Sequence, residues 1–119
     1  MPLQHLHLHV RSRPVAEKFY ADWFGLSTKR RGSEITFMND DKRFLLALAE
    51  DASAAPLPAW FHFGFEFDAR EAVLDLYNRF RQANVPIRKE IYQDEGFASF
   101  RCSDPDGYVI EVYWDAGTT

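Results

Sequence analysis

His5-Leu6-His7-Leu8-His9-Val10 alternates histidine and apolar side chains without a break. Period-two alternation marks a strand, here with Leu6, Leu8 and Val10 on one face and three histidines on the other. The chain repeats the pattern at His62-Phe63-Gly64-Phe65-Glu66-Phe67. His5 and His62 are 57 positions apart, Tyr20 and Tyr77 are again 57 apart, and Leu26 and Val85 are 59 apart. A near-constant offset over one such interval predicts two copies of a single module, not a stacked array.

The segments after each opening strand support the duplication. Ser12 can cap a helix, Pro14 suits its first turn and Gly25 its C-terminal stop, with Val15, Phe19, Tyr20, Trp23 and Phe24 as the apolar stripe. Strands are expected at about 27–31, 34–39 and 43–49, with Asn39-Asp40-Asp41-Lys42 as the last turn. Residues 51–59 lack periodicity and carry Pro56 and Pro58, which reads as a linker. In the second copy Asp68 and Glu71 form a capping-box-like pair, and Val73, Leu76, Tyr77 and Phe80 form the helix stripe, ending near Asn84. Strands follow at about 87–92, 97–102 and 108–114. Both halves read β-α-β-β-β. The expected organisation is one domain over 1–119, with module one at 1–50, the linker at 51–59 and module two at 60–119.

The last strand is introduced by Asp104-Pro105-Asp106-Gly107, a tight turn in which Pro105 pre-sets φ and Gly107 accepts positive φ. In mid-strand Glu111 shares a face with Val109 and Tyr113. A carboxylate among apolar neighbours is costly unless paired or bound to a metal. The competing reading is an edge strand with Glu111 in water.

Composition narrows the classes. At 119 residues, 46% hydrophobic and 16% aromatic, the chain is long and apolar enough for one folded domain with a real core. The net charge is −4, and Lys29-Arg30-Arg31 is too short a basic run for a nucleic-acid surface. No apolar run approaches the roughly 18 residues of a membrane span. Met1-Pro2-Leu3-Gln4-His5 has neither the basic start nor the apolar core of a signal peptide. The single Cys102 excludes an internal disulfide and suits a reducing, cytoplasmic setting.

The opening strand, Phe19-Tyr20, Gly25-Leu26, His62 and the Asp104-Pro105-Asp106-Gly107 turn with Glu111 together resemble the vicinal oxygen chelate superfamily. That superfamily includes glyoxalase I, fosfomycin-resistance thiol transferases, extradiol ring-cleaving dioxygenases and metal-free bleomycin-binding proteins. The resemblance implies an α+β fold of two βαβββ modules whose curved mixed sheet surrounds an open cup, usually in a homodimer. It implies little about reaction, because the fold hosts many chemistries.

The family's metal-ligand positions fall on His5, His62 and Glu111, and the fourth, in Leu46-Ala47-Leu48, on Ala47. Two histidines and a carboxylate with open positions suit a divalent ion such as Fe, Mn, Zn or Ni. His7 lies about 6.6 Å along the strand from His5, placed for acid–base work beside the ion. His9 lies about 13 Å from His5, too far to share the ion, and reads as a solvated rim residue. Glu66 lines the cup or is paired or solvated. Arg101 shares a face with Ser99 and is a candidate clamp for an anionic substrate group, the alternative being an ordinary surface arginine.

Each subfamily is matched only in part. Glyoxalase I needs an acid where Ala47 stands. Extradiol dioxygenases carry a further His and a Tyr where Gly96–Cys102 has neither. The fosfomycin enzymes match the two-His, one-Glu set, but their basic residue beyond the last strand has no counterpart in Asp115-Ala116-Gly117-Thr118-Thr119. The leading expectation is a small metal-dependent enzyme, not glyoxalase I itself, whose substrate binds the ion through two oxygens. Lyase or isomerase, dioxygenase and thiol-transferase chemistry all remain open. The alternative is a metal-free protein that sequesters a drug or metabolite in an aromatic cup near Trp60, Phe61, Phe97 and Tyr113.

Overall fold

A computed structural model describes residues 1–55 and 57–118, so Pro56 of the expected linker and Thr119 lie outside the described residues. The chain divides into two compact units, the first ending at Ala55 and the second running to the C-terminus. Module one contains β1 (His5–Val10), α1 (Arg13–Phe24), β2 (Ser27–Arg31), β3 (Ile35–Asn39) and β4 (Leu45–Glu50). Module two contains β5 (His62–Glu66), α2 (Arg70–Gln82), β6 (Ile87–Asp94), β7 (Phe97–Ser103) and β8 (Val109–Asp115), followed by a short 3-10 turn at Ala116–Thr118. The two copies are therefore both β-α-β-β-β, as the offset predicts.

Each module is a four-stranded mixed sheet with the same order, β1-β4-β3-β2 and β5-β8-β7-β6. The first strand of each pairs parallel with the last, and the other neighbours are antiparallel. Alternation sends one face of each sheet to its helix. Leu8, Val10, Leu46, Leu48 and Met38 are buried on the α1 side with Phe19 and Tyr20. In module two Phe100 meets Tyr77 and Phe80 edge-on, with ring centroids 5.1 and 5.8 Å apart. Burying each such side chain stabilises by about 1.5–3 kcal/mol.

The helix ends show which local signals acted. Ser12 Oγ accepts from the Val15 amide, and Gly25 closes α1 at φ 69°, a left-handed conformation glycine adopts without steric cost. Val15, expected in the stripe, is 52% exposed, and Ala16 takes the buried position one residue on. The expected Asp68–Glu71 cap does not form. Ala69 holds the N-cap position of α2 with no side-chain hydrogen bond, one residue beyond Asp68. An Asp before the cap cannot reach the first free amides, and Glu71 instead lies in the first turn, where it favours the helix dipole.

The expected linker begins as an ordered turn: the Asp51 amide donates to Val10 O at 2.8 Å, and Asp51 Oδ1 accepts from the Ser53 amide at 2.9 Å. The turns into the last strands are copies of each other. Asp40 Oδ1 accepts from the Lys42 and Phe44 amides at 2.9 and 2.8 Å. Asp104 Oδ1 accepts from the Asp106 and Tyr108 amides, both at 2.9 Å. Both turns have positive φ at the fourth residue, 80° at Arg43 and 88° at Gly107.

Candidate functional site

The face of module two turned away from α2 collects the polar groups. Register places Gly64 beside Glu111 on the parallel side and Arg101 beside Glu111 on the antiparallel side. His62 lies two residues before Gly64, on the same face. Its Nε2 is 3.4 Å from Glu111 Oε1, with side chains 31% and 20% exposed. Its Nδ1 is 3.2 Å from the carbonyl oxygen of Trp60. A carbonyl only accepts, so Nδ1 carries the proton and donates. In neutral His62, Nε2 then presents its lone pair toward a carboxylate. Two electron-rich atoms facing each other at that distance call for a cation or a proton between them.

Gly64 opens the space beside this pair. A Cβ there would lie 3.1 Å from both the Glu111 carbonyl oxygen and Cε1 of Tyr113, so the Tyr113 ring lies close over this strand position and would have to shift slightly for a larger residue. Burial, then the negative charges of Glu66, Glu111 and Asp115, hold the Tyr113 phenol above its ordinary pKa. The ring continues into a row: Tyr113 to Phe97 and Phe97 to Tyr92 are each 6.4 Å between centroids. Glu66 accepts a hydrogen bond from the Thr118 hydroxyl.

Arg101 has an unusual environment. Its Nε is sealed from solvent with no hydrogen-bond partner. Register puts it opposite Glu111, but among the described residues the Glu111 carboxylate is directed to His62 Nε2. The sequence singles out Arg101 but does not reveal that its guanidinium is left with an unmet donor.

In module one, His5, His7 and His9 lie on the face away from α1, all exposed, with Leu45, Ala47 and Ala49 beside them in register. His5 borders a surface cleft of about 610 Å³ with Lys29 and Arg43. The His7 and His9 rings are 5.3 Å apart. His9 Nδ1 donates to Asp51 Oδ2 at 3.0 Å, and that bond, ahead of the Ser53 amide, lowers the Asp51 pKa. Ala47 is buried beside Phe37, over which Arg30 stacks at 5.4 Å. Among the described residues no group of three or more His, Cys, Asp or Glu side chains is gathered that could hold an ion: His62 and Glu111 come together, and His5 is not grouped with them.

Cys102 has no part in this face. It is fully buried on the α2 side, and burial, with a smaller push from Asp104, raises its thiol to about 12. It is a core residue with an inert thiol at neutral pH.

A duplicated βαβββ chain carrying a histidine–carboxylate pair on one sheet face defines the class. The chain belongs to the Glyoxalase/Bleomycin resistance protein/Dioxygenase superfamily, whose model matches residues 3–112. PA2024 of Pseudomonas aeruginosa, described only as uncharacterized, is 30% identical over 121 residues, covering 92% of this chain and 85% of its own. A solved structure of a possible glyoxalase from Bacillus cereus is 28% identical, with a TM-score of 0.81, covering 94% of this chain and 97% of that one. The lactoylglutathione lyase of Agrobacterium tumefaciens, 24% identical with a TM-score of 0.74, covers 95% and 92% and shares the fold. No helix among the described residues is long and apolar enough to cross a membrane.

Proposed function

We propose that the protein is a metal-dependent enzyme acting on a small molecule, with His5, His62 and Glu111 as ligands of a divalent ion such as Fe, Mn, Zn or Ni. The observation that carries this reading is the His62–Glu111 pair. Nε2 and Oε1 stand 3.4 Å apart, and the proton on Nδ1 is committed to Trp60 O. A histidine whose other nitrogen donates to a backbone carbonyl is oriented as a metal ligand is. His5 is the third donor on the family pattern, and its imidazole has the right chemistry.

When bound, the ion supplies Lewis acidity to two neighbouring substrate oxygens. The chain's own groups do the rest. Arg101 holds an anionic substrate group, a role supported by Glu111, its neighbour in register, being directed to His62 and not to the guanidinium. His7, one pleat along from His5, moves the proton. The Tyr113 phenol, whose pKa is raised by burial and then by the acidic groups around it, presents a hydroxyl donor. Lyase or isomerase, dioxygenase and thiol-transferase reactions are all compatible with these groups. Glyoxalase I chemistry is not proposed, because Ala47 has no carboxylate. The working form is a cytoplasmic homodimer.

Metal content of purified single variants tests the reading. His62→Ala should lose stoichiometric metal while remaining folded, and His9→Ala should keep it, because Asp51 holds His9 elsewhere. Full metal occupancy in His62→Ala would reject the site. Wild-type protein free of metal after reconstitution would favour the sequestering alternative.

A further inference from the structure

We propose that the face of module two turned away from α2 binds a small aromatic acid, its ring on the Tyr113–Phe97 row and its carboxylate on Arg101. This rests on Arg101 as the anion clamp and names the class of molecule the clamp serves.

Arg101 supplies the charge. Antiparallel partners sit about 4.5–5.5 Å apart at Cα, so Arg101 and Glu111 are neighbours that a structural arginine would join in an ion pair. Glu111 is directed to His62 instead, and Arg101 Nε is buried without an acceptor. Leaving such a donor unmet costs about 1–3 kcal/mol. With Nε sealed, the guanidinium meets a ligand through its two terminal nitrogens, a fork that matches a carboxylate in both spacing and plane. Lys89, paired in register with Arg101, adds a second cation on the same side.

The aromatic half comes from the neighbouring rings. Tyr113 is opposite Ser99 in register, diagonal to Arg101 and roughly 7–8 Å from it at Cα. Its ring continues to Phe97 at 6.4 Å with an interplanar angle of 31°, and Phe97, Ser99 and Tyr113 share the face of Arg101 by strand alternation. Gly64 lies beside the start of the row: a Cβ there would stand 3.1 Å from the Tyr113 ring, which would have to give by a few tenths of an ångström. A planar ring lying on such a floor gains about 0.5–1.5 kcal/mol beyond its buried area, which an aliphatic acid does not. Module one has no such site: Phe37 stands where Arg101 does, and Arg30 already covers it.

The test is calorimetric titration of the full chain with benzoate, benzamide and propionate, both metal-depleted and loaded with Mn(II). Wild-type protein should prefer benzoate to each of the other two by about tenfold, with or without the ion. Arg101→Met should erase the preference over benzamide, and Arg101→Lys should restore part of it. Phe97→Ala should erase the preference over propionate alone, with circular dichroism confirming that each variant is folded. Equal binding of benzoate and benzamide by wild type overturns the clamp and with it this proposal. A benzoate preference over benzamide but not over propionate keeps the clamp and overturns the aromatic class. Stoichiometric Mn(II) with no benzoate preference overturns this proposal and leaves the metal centre standing. Benzoate preference without any Mn(II) binding does the reverse.

Discussion

The two modules share a plan and differ in what they place on the face away from their helices. In module one the strand positions paired across β3 and β4 hold Phe37 and Ala47; in module two the matching positions on β7 and β8 hold Arg101 and Glu111. The first set is apolar, with the Arg30 cation resting on Phe37. In the second, one charge faces a histidine and the other keeps an unmet donor. The helix-facing sides, by contrast, are close-packed in both. A duplicated fold can thus place costly charges at these two positions in one copy and apolar groups in the other, because the helix-facing side of each sheet is close-packed in both.

The paired turns sharpen that comparison. Asp104 is 4% exposed and Asp40 is half-buried, although each accepts two backbone amides. Bonds to a buried charged acceptor should matter more, so Asp104→Ala should cost about 3 kcal/mol and Asp40→Ala about 1 kcal/mol. Urea unfolding measures both, and equal losses would break the parallel between burial and energy.

The fourth residue of each turn gives a smaller effect of opposite sign. Gly107 has φ 88°, so Gly107→Ala should destabilise by about 1–2 kcal/mol. Arg43 holds φ 80° with a side chain, so Arg43→Gly should be neutral or stabilise by about 0.5 kcal/mol once the entropy of glycine is counted. A destabilised Arg43→Gly would mean that Arg43 makes a compensating contact.

The smallest difference concerns how each helix is tied to the following strand. Glu17 on α1 accepts from Arg31 and from the Thr28 hydroxyl, whereas Tyr77 on α2 donates to Glu90. The Arg31 bond, then the Thr28 bond, lowers the Glu17 pKa from its ordinary 4.5. A depressed carboxylate contributes stability that is present above its unfolded pKa and lost as pH falls through the folded one. Arg31 is well exposed and solvent screens the pair, so Glu17→Gln should cost only about 0.5–1 kcal/mol at pH 7. The gap from wild type should close as pH drops below 4.5. A gap that persists in strong acid would assign the loss to packing.

Alternation in His5–Val10 and the 57-residue offset make both modules legible, because period and repeat are properties of sequence alone. Candidate ligands are legible only through the family pattern. Spacing alone does not single them out. The last turn is legible through Pro105 and Gly107, which constrain φ, but the Asp carboxylates that hold both turns are not. Their donors are amides two and four residues on, a geometry composition does not announce. Val15 and the Asp68–Glu71 pair depart from expectation for a common reason. A helix face and a cap each depend on phase, and a shift of one residue moves both.

Each module closes by parallel pairing of strands some forty residues or more apart, His5 with Leu45 and His62 with Val109, whereas the other strands join through short connections. Loop-closure entropy then sets the order of folding. Local antiparallel pairs form early, and the distant parallel one meets its closure cost last. During synthesis the histidine-bearing strand of each module is therefore made first and docked last. Glu111 lies on β8, so His62 meets its carboxylate only once that strand has joined the sheet.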